Sequence, residues 1–270
     1  MNDIGILQGR VCPPRLDSFQ LFPQGRWEEE LRRVRELGFS ALELLYDRAL
    51  LCDQLLSSGM FLDAVGQIPG LNVNSICLDY LASFSALEEP DRFKDRLDRL
   101  MGLLNNSLIS VLILPFLEDN NLTSAQDFDA ALSHLAAAGI DDRLQDRQMC
   151  LALELSLPAH TIKEVWRNYR FKHIKICYDL GNARSMGFLP EEEVLTLNGL
   201  IGHVHVKDRR VNGPNVMLGE GDVDFRACLK ALKTIAYSGP LILETQYAVS
   251  PETEAAQNLA FIRDCCEALV

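Results

Sequence analysis

Four apolar runs in the second half of the chain are broken at their C-terminal ends by side chains that can hold a cation. Met149-Cys-Leu-Ala-Leu leads into Glu154, Ile174-Lys-Ile-Cys-Tyr into Asp179, Ile201-Gly-His-Val into His205, and Leu241-Ile-Leu into Glu244. A parallel strand covered on both faces reads as a near-continuous apolar run, so each break needs a physical reason. A lone carboxylate taken out of water is costly unless it is paired. One reading is a separate ion pair for each acid. The other is a single shared partner, because three carboxylates and an imidazole suit one divalent ion. An oxygen-rich set favours Mn²⁺ first, or Mg²⁺, and the imidazole admits Co²⁺, Fe²⁺ or Zn²⁺.

Other polar residues occupy similar places. Gln8, Glu43 and Asp79 fall at or near the ends of three earlier apolar runs. Each can meet a substrate hydroxyl or be used in an internal ion pair or hydrogen bond. His203 precedes His205 by two residues, so it shares that face of the strand one layer deeper. It reads as a packed, hydrogen-bonded histidine.

The elements that must carry these residues alternate along the whole chain. Strands are expected at Ile4–Gln8, Ala41–Tyr46, Asn72–Leu78, Ser110–Pro115, Met149–Leu155, Ile174–Asp179, Gly202–Val206 and Pro240–Thr245. Helical spacing is expected over Trp27–Leu37, Asp53–Val65, Pro90–Asn105, Ser124–Ala138 with a continuation to Asp146, Thr161–Tyr169, Pro190–Leu200, Phe225–Ala236 and Pro251–Leu269. Gly38 is placed to end the first helix and Pro190 to open a later one. Eight strand–helix pairs predict one (β/α)8 TIM barrel over residues 1–270, a length such barrels commonly have. A doubly wound open sheet usually announces itself with a glycine-rich turn after the first strand, and no GxGxxG is present. In a barrel, the four breaks fall on consecutive strands at the end where active sites form.

Bulk properties remove several function classes. The net charge of −12 opposes nucleic-acid binding, and the basic runs Arg32-Arg33 and Lys207-Asp208-Arg209-Arg210 make no stripe. No run approaches the roughly 20 apolar residues of a membrane helix. The start, MNDIGILQGRV, lacks the features of a secretion signal. The eight cysteines show no CxxC spacing and read as reduced thiols of a cytoplasmic protein.

Several motifs resemble one superfamily. They are Ile4-Gly-Ile-Leu-Gln-Gly-Arg10, Glu36-Leu-Gly-Phe39 followed by Leu42-Glu43, Leu153-Glu154, Tyr178-Asp-Leu-Gly-Asn182, Gly202-His-Val-His-Val-Lys-Asp208, Leu218-Gly-Glu-Gly-Asp-Val-Asp-Phe225 and Gly239-Pro-Leu-Ile-Leu-Glu244. Together they resemble the xylose-isomerase-like barrels of sugar phosphate isomerases and epimerases, over almost the whole chain. The stretch from Asp179 to Glu244 is specific to that superfamily, and within it Asp179-Leu-Gly-Asn182, Val204-His-Val-Lys-Asp208 and Gly219-Glu-Gly-Asp-Val-Asp-Phe225 are most similar to pentulose-5-phosphate 3-epimerases, as is Ser75-Ile-Cys-Leu78. The resemblance implies one metal held by Glu154, Asp179, His205 and Glu244, with Glu154 and Glu244 doubling as the acid/base pair. It implies a sugar or sugar-phosphate substrate and a homodimer or homotetramer.

Elementary chemistry agrees. A metal on a ketose carbonyl and its adjacent hydroxyl stabilises an enediolate. Two carboxylates on opposite faces can then remove a proton and return it, inverting a carbon. One base moving the proton between carbons gives aldose–ketose isomerisation instead. Free-ketose 3-epimerases of the superfamily usually carry a histidine three residues after the strand-six aspartate, where this chain has Asn182. A phosphate seat is expected at the backbone amides around Gly219 and Gly221 with Lys207, Arg209 or Arg210 nearby, unless these form only a tight turn with solvated bases. Asn182, Lys207 and Arg209 are thus the expected substrate contacts on this side. A dehydratase of the inosose or 3-dehydroshikimate type is the alternative on the same scaffold. A three-zinc apurinic endonuclease fits poorly, since strands two and three offer Glu43 and Asp79 but no histidine.

Overall fold

A computed structural model describes residues 2–13, 21–47, 51–82, 89–104, 107–117, 121–247 and 249–268. In chain order the elements are β1 (Ile4–Leu7), α1 (Trp27–Leu37), β2 (Ala41–Leu45), α2 (Leu51–Ser58), α3 (Met60–Gly66), β3 (Asn72–Cys77), α4 (Asp79–Ala82), α5 (Pro90–Leu103), β4 (Val111–Pro115), α6 (Ala125–Ala137), α7 (Ile140–Arg147), β5 (Cys150–Glu154), α8 (Ala159–Trp166), β6 (Ile174–Asp179), α9 (Leu180–Ser185), α10 (Pro190–Thr196), β7 (Ile201–Val206), β8 (Asp208–Arg209), β9 (Asn215–Val216), α11 (Phe225–Thr234), β10 (Leu241–Leu243) and α12 (Pro251–Glu267). Eight parallel strands close in the order β1-β10-β7-β6-β5-β4-β3-β2. The two remaining strands, β8 and β9, form a small antiparallel ribbon just after β7.

Alternation within each strand divides the apolar residues into two layers. The larger layer lies between strands and helices and includes Ile6, Leu42, Leu44, Ile76, Leu112, Leu151, Leu153, Ile176, Val204 and Val206. The smaller one fills the barrel with Leu7, Ala41, Leu45, Cys77 and Ile242, and with Ile113, Ala152 and Cys177. Each large aliphatic side chain so buried contributes about 1.5–3 kcal/mol. Helices present matching faces: α1 buries Trp27, Leu31 and Val34, while α11 buries Phe225, Cys228, Leu229 and Leu232. Asp224 caps α11 by accepting from the Ala227 N–H.

The strands fall where the sequence predicts: β6 matches in full, β7 starts one residue earlier, and the other six are one or two residues shorter at their ends. Two expected helices are each split. The Asp53–Val65 segment divides at Gly59 (φ 73°), and the continuation to Asp146 breaks at Gly139 (φ 64°). Both glycines take the left-handed conformation that a continuing helix excludes. The expected helix ends Asn105 and Leu269, and the Cys52 side chain, lie outside the described residues. Seven cysteines are free thiols among the described side chains. No helix among the described residues is long and apolar enough to cross a membrane.

Candidate metal centre

Glu154 ends β5, Asp179 ends β6, His205 is the penultimate residue of β7, and Glu244 directly follows β10. These strands are neighbours in the closed order. Asp179 lies opposite His205, and His205 lies opposite Ile242, two residues before Glu244. A register shift between β6 and β7 after Ile176 brings Cys177 opposite His203. The shift puts both histidines in phase with the inward residues of β6. Glu244 keeps the pairing beyond β10, because its N–H donates to the Val206 carbonyl over 3.0 Å.

The four side chains converge. Each of Glu154, Asp179, His205 and Glu244 offers one donor atom, and these atoms lie within 4.8 Å of one another. His205 Nδ1 lies 3.1 Å from Glu244 Oε2 and 3.6 Å from Glu154 Oε2. The aspartate is anchored from behind. Its Oδ1 accepts from the Asn182 N–H over 2.7 Å and so caps α9, leaving Oδ2 for the centre. Glu154 Oε1 accepts from Asn182 Nδ2 over 3.2 Å, and Asn182 Oδ1 accepts from Arg209 Nη1 over 3.1 Å. Asn182 therefore holds two of the acids in place.

Lys207 enters the same cluster. Its ammonium lies 2.9 Å from Asp179 Oδ2 and 3.0 Å from Glu244 Oε2. Arg10 approaches Glu244 Oε1 to 3.7 Å from the other side. Burial pushes the Asp179 carboxyl up to about 6, with Lys207 opposing the shift and Glu154 and Glu244 adding to it. Burial also acts to raise Glu244, but Lys207, His205 and Arg10 outweigh it and hold that carboxyl below the ordinary carboxylate range. For Lys207, burial works against the ammonium and is overridden by Asp179, Glu244 and Glu154, so its affinity for the proton is raised. Burial opposes a charged His205 as well, yet Cys177, Glu43 and Glu154 raise it well above the ordinary value. Asp179, His205 and Lys207 are shifted toward their protonated forms, whereas Glu244 is held as a carboxylate by the cations around it.

A divalent ion fits the donors present. His205 Nδ1, Asp179 Oδ2 and Glu244 Oε2 are buried, meet one another and the Lys207 ammonium, and face one point. Three carboxylate oxygens and one imidazole nitrogen suit Mn²⁺ or the other ions named above.

The remaining sequence candidates take different places. Both Glu43 oxygens lie against histidines inside the barrel, the internal pairing that the sequence also admits. Gln8 is fully buried, and its Oε1 accepts from the Leu45 N–H over 3.2 Å, while Nε2 has no hydrogen-bond partner. Its amide nitrogen is the available donor. Asp79 opens α4, half-buried, after β3, and belongs to none of the metal-binding groups among the described residues. Arg209 is drawn to Asn182 and to the Gly213 carbonyl. The expected phosphate seat is already filled, because the Gly219 and Gly221 amides both donate to Asp208 Oδ2 over 2.9 Å.

Sequence reasoning passed over Arg10 and gave Lys207 no place among the acids. The available signal for Arg10 was a buried-type strand, Ile4–Leu7, running directly into Gln8-Gly9-Arg10. Arg10 is only 4% exposed. Gly181, within the Tyr178–Asn182 motif, decides how closely α9 can lie on β7. A Cβ there would stand 2.4 Å from Lys207 Cγ and 2.7 Å from the Lys207 carbonyl oxygen.

A closed parallel barrel with a carboxylate-rich cluster at the C-terminal ends of adjacent strands defines a class of proteins suited to metal-assisted chemistry on small polar molecules. The family model for the xylose isomerase-like TIM barrel matches residues 31–265, and the chain belongs to that family. Its relatives include the L-ribulose-5-phosphate 3-epimerase UlaE of Salmonella paratyphi A, 24% identical over 259 residues, covering 88% of this chain and 89% of the relative. The UlaE enzyme of Escherichia coli strain SE11 is 26% identical over 262 residues, with the same coverage of each chain. Among solved structures, an L-ribulose 3-epimerase superposes with a TM-score of 0.76 at 18% identity, covering 99% of this chain and 95% of that one. The 3-keto-D-glucoside 4-epimerase YcjR of E. coli gives 0.73 at 19% identity, covering 98% and 100%. At such identities the structural likeness speaks for the fold. The named relatives are sugar epimerases, enzymes of the isomerase class.

Proposed function

We propose that this chain is a metal-dependent ketose epimerase acting on a pentulose or its 5-phosphate. In this reading Glu154, Asp179, His205 and Glu244 hold one divalent ion, Mn²⁺ foremost, and Glu154 and Glu244 exchange the proton. The observation that carries it is the convergence of four donor atoms within 4.8 Å at the barrel mouth. The sugar assignment is supported by relatives named L-ribulose-5-phosphate 3-epimerase.

When bound, a divalent ion supplies an electrophile that spreads the charge of an enediolate formed beside a ketose carbonyl. The chain's own residues do the rest. Glu154 and Glu244 sit on strands three places apart around the barrel, β5 and β10, so their carboxylates face the centre from different sides. One removes the carbon-bound proton and the other delivers a proton to the opposite face, inverting the carbon. Asn182 orients Glu154 through its amide N–H, and Arg209 orients Asn182 in turn. Lys207, His205 and Arg10 keep Glu244 ionised. Gln8 Nε2 is a donor for a substrate hydroxyl.

The test is a panel of ketoses and ketose 5-phosphates incubated with Mn²⁺-loaded enzyme in D₂O. Deuterium is expected at the inverted carbon of one member. Glu154→Gln is expected to lower turnover at least about 100-fold, the scale of a lost general base, with circular dichroism unchanged. Full turnover in that variant would remove Glu154 from the acid/base pair.

A further inference from the structure

The metal-site reading leaves one buried charge without a task. Glu43 and His203 are both fully buried. Glu43 belongs to β2, which is three places from β7 around the barrel, and its side chain crosses the interior to reach the two β7 histidines. Glu43 Oε1 lies 2.8 Å from His205 Nε2 and Oε2 lies 2.7 Å from His203 Nε2. The two rings stand nearly perpendicular, 5.3 Å between centroids at 86°. With each oxygen within 2.8 Å of a histidine ring, this carboxylate has neither left for a substrate.

We infer that Glu43 is a positioning residue: it holds the His205 proton on Nε2 and thereby commits Nδ1 to the metal, while His203 fixes the second Glu43 oxygen. The inference rests on the metal-site reading above and deepens it. An imidazole that ligates a metal is neutral and carries one proton, and an ionised carboxylate only accepts. The proton shared with Glu43 therefore belongs on Nε2, and the lone pair belongs on Nδ1. Nδ1 is the nitrogen that faces Glu154 and Glu244, at 3.6 and 3.1 Å. The other tautomer would set the proton against the cation and leave Glu43 facing a lone pair, and a flipped ring would turn carbon toward both. His203 Nε2 packs 2.7 Å from the second Glu43 oxygen and so restricts rotation of the carboxylate. Hydrogen-bonded carboxylates behind ligand histidines fix ring orientation and raise ligand basicity.

Glu43→Gln tests this almost isosterically. An amide has one oxygen, so it can accept from one ring only, and the other ring must offer a lone pair to the NH₂ group. Metal-stripped wild type, Glu43→Gln and His203→Gln would be titrated with Mn²⁺ by calorimetry. The Zn²⁺-loaded proteins would be examined by ¹H–¹⁵N correlation across the imidazole rings. Wild type is expected to bind one ion and to show His205 protonated at Nε2 with Nδ1 on the metal. Glu43→Gln is expected to bind about 10–100-fold more weakly, with His205 losing that single ring signature. His203→Gln is expected to lie between them.

Equal Mn²⁺ affinity, within twofold, for wild type and Glu43→Gln would overturn the inference and leave the metal site standing. So would a wild-type spectrum with His205 protonated at Nδ1, which decides the matter even if Glu43→Gln does not fold. Wild type that binds no Mn²⁺ would remove the metal-site reading and this inference with it.

Discussion

Asp179 serves two ends with two oxygens. Oδ1 caps α9 and Oδ2 faces the acids and Lys207. Asparagine is an equally good cap, so Asp179→Asn keeps the helix start while removing one negative donor. Mn²⁺ affinity in Asp179→Asn is expected to fall beyond the about 10–100-fold that an outer partner of a ligand carries. Circular dichroism should stay that of wild type, and isothermal titration reads the loss directly. Unchanged affinity would exclude Asp179 as a ligand. At this scale the sequence is informative about which residues break apolar runs and silent about their partners. Glu154, Asp179, His205 and Glu244 stand out because a doubly covered strand does not tolerate an unpaired charge. The pairing of Glu43 with His205 spans 162 residues of chain and follows only from barrel closure.

The barrel strands are readable in advance because length and apolar continuity mark them, whereas α9 and the β8–β9 ribbon are not. Six residues of α9 are too few for helical periodicity to register, and two-residue strands carry no alternation. Yet α9 brings Asn182 to Glu154 and Asp179, and its fit against β7 depends on Gly181. Alanine in an unobstructed helix is about 0.8–1 kcal/mol better than glycine. Here the added Cβ meets the Lys207 backbone, which cannot step aside as a flexible side chain would. Gly181→Ala is therefore expected to destabilise the protein by about 1–3 kcal/mol and to lower activity by displacing Lys207. Urea unfolding checks the sign, and a midpoint raised above wild type would show that the contact is relieved at no cost. The same closeness explains why sequence alone assigned Lys207 to substrate: only the packing of α9 on β7 shows its ammonium between two acids.

For the whole molecule, barrel closure gathers Glu154, Asp179 and Glu244 at one end of a chain whose formal net charge is −12. A divalent ion bound to that end of the folded state, and to nothing equivalent in the unfolded chain, stabilises by mass action. At a free concentration 100 times the dissociation constant the gain is about 2.7 kcal/mol. For a chain of this size that corresponds to roughly 5–10 °C in Tm. Thermal unfolding in excess Mn²⁺ and in EDTA should differ by that amount. Identical melting curves would mean that the folded barrel takes up no ion.

Diffraction from crystals soaked in Mn²⁺, collected to exploit its anomalous signal, addresses the metal centre most directly. One dominant peak is expected, ligated by Glu154, Asp179, His205 through Nδ1, and Glu244. A map without a peak among those four side chains, or with its only strong peak elsewhere on the barrel, would contradict the proposed centre.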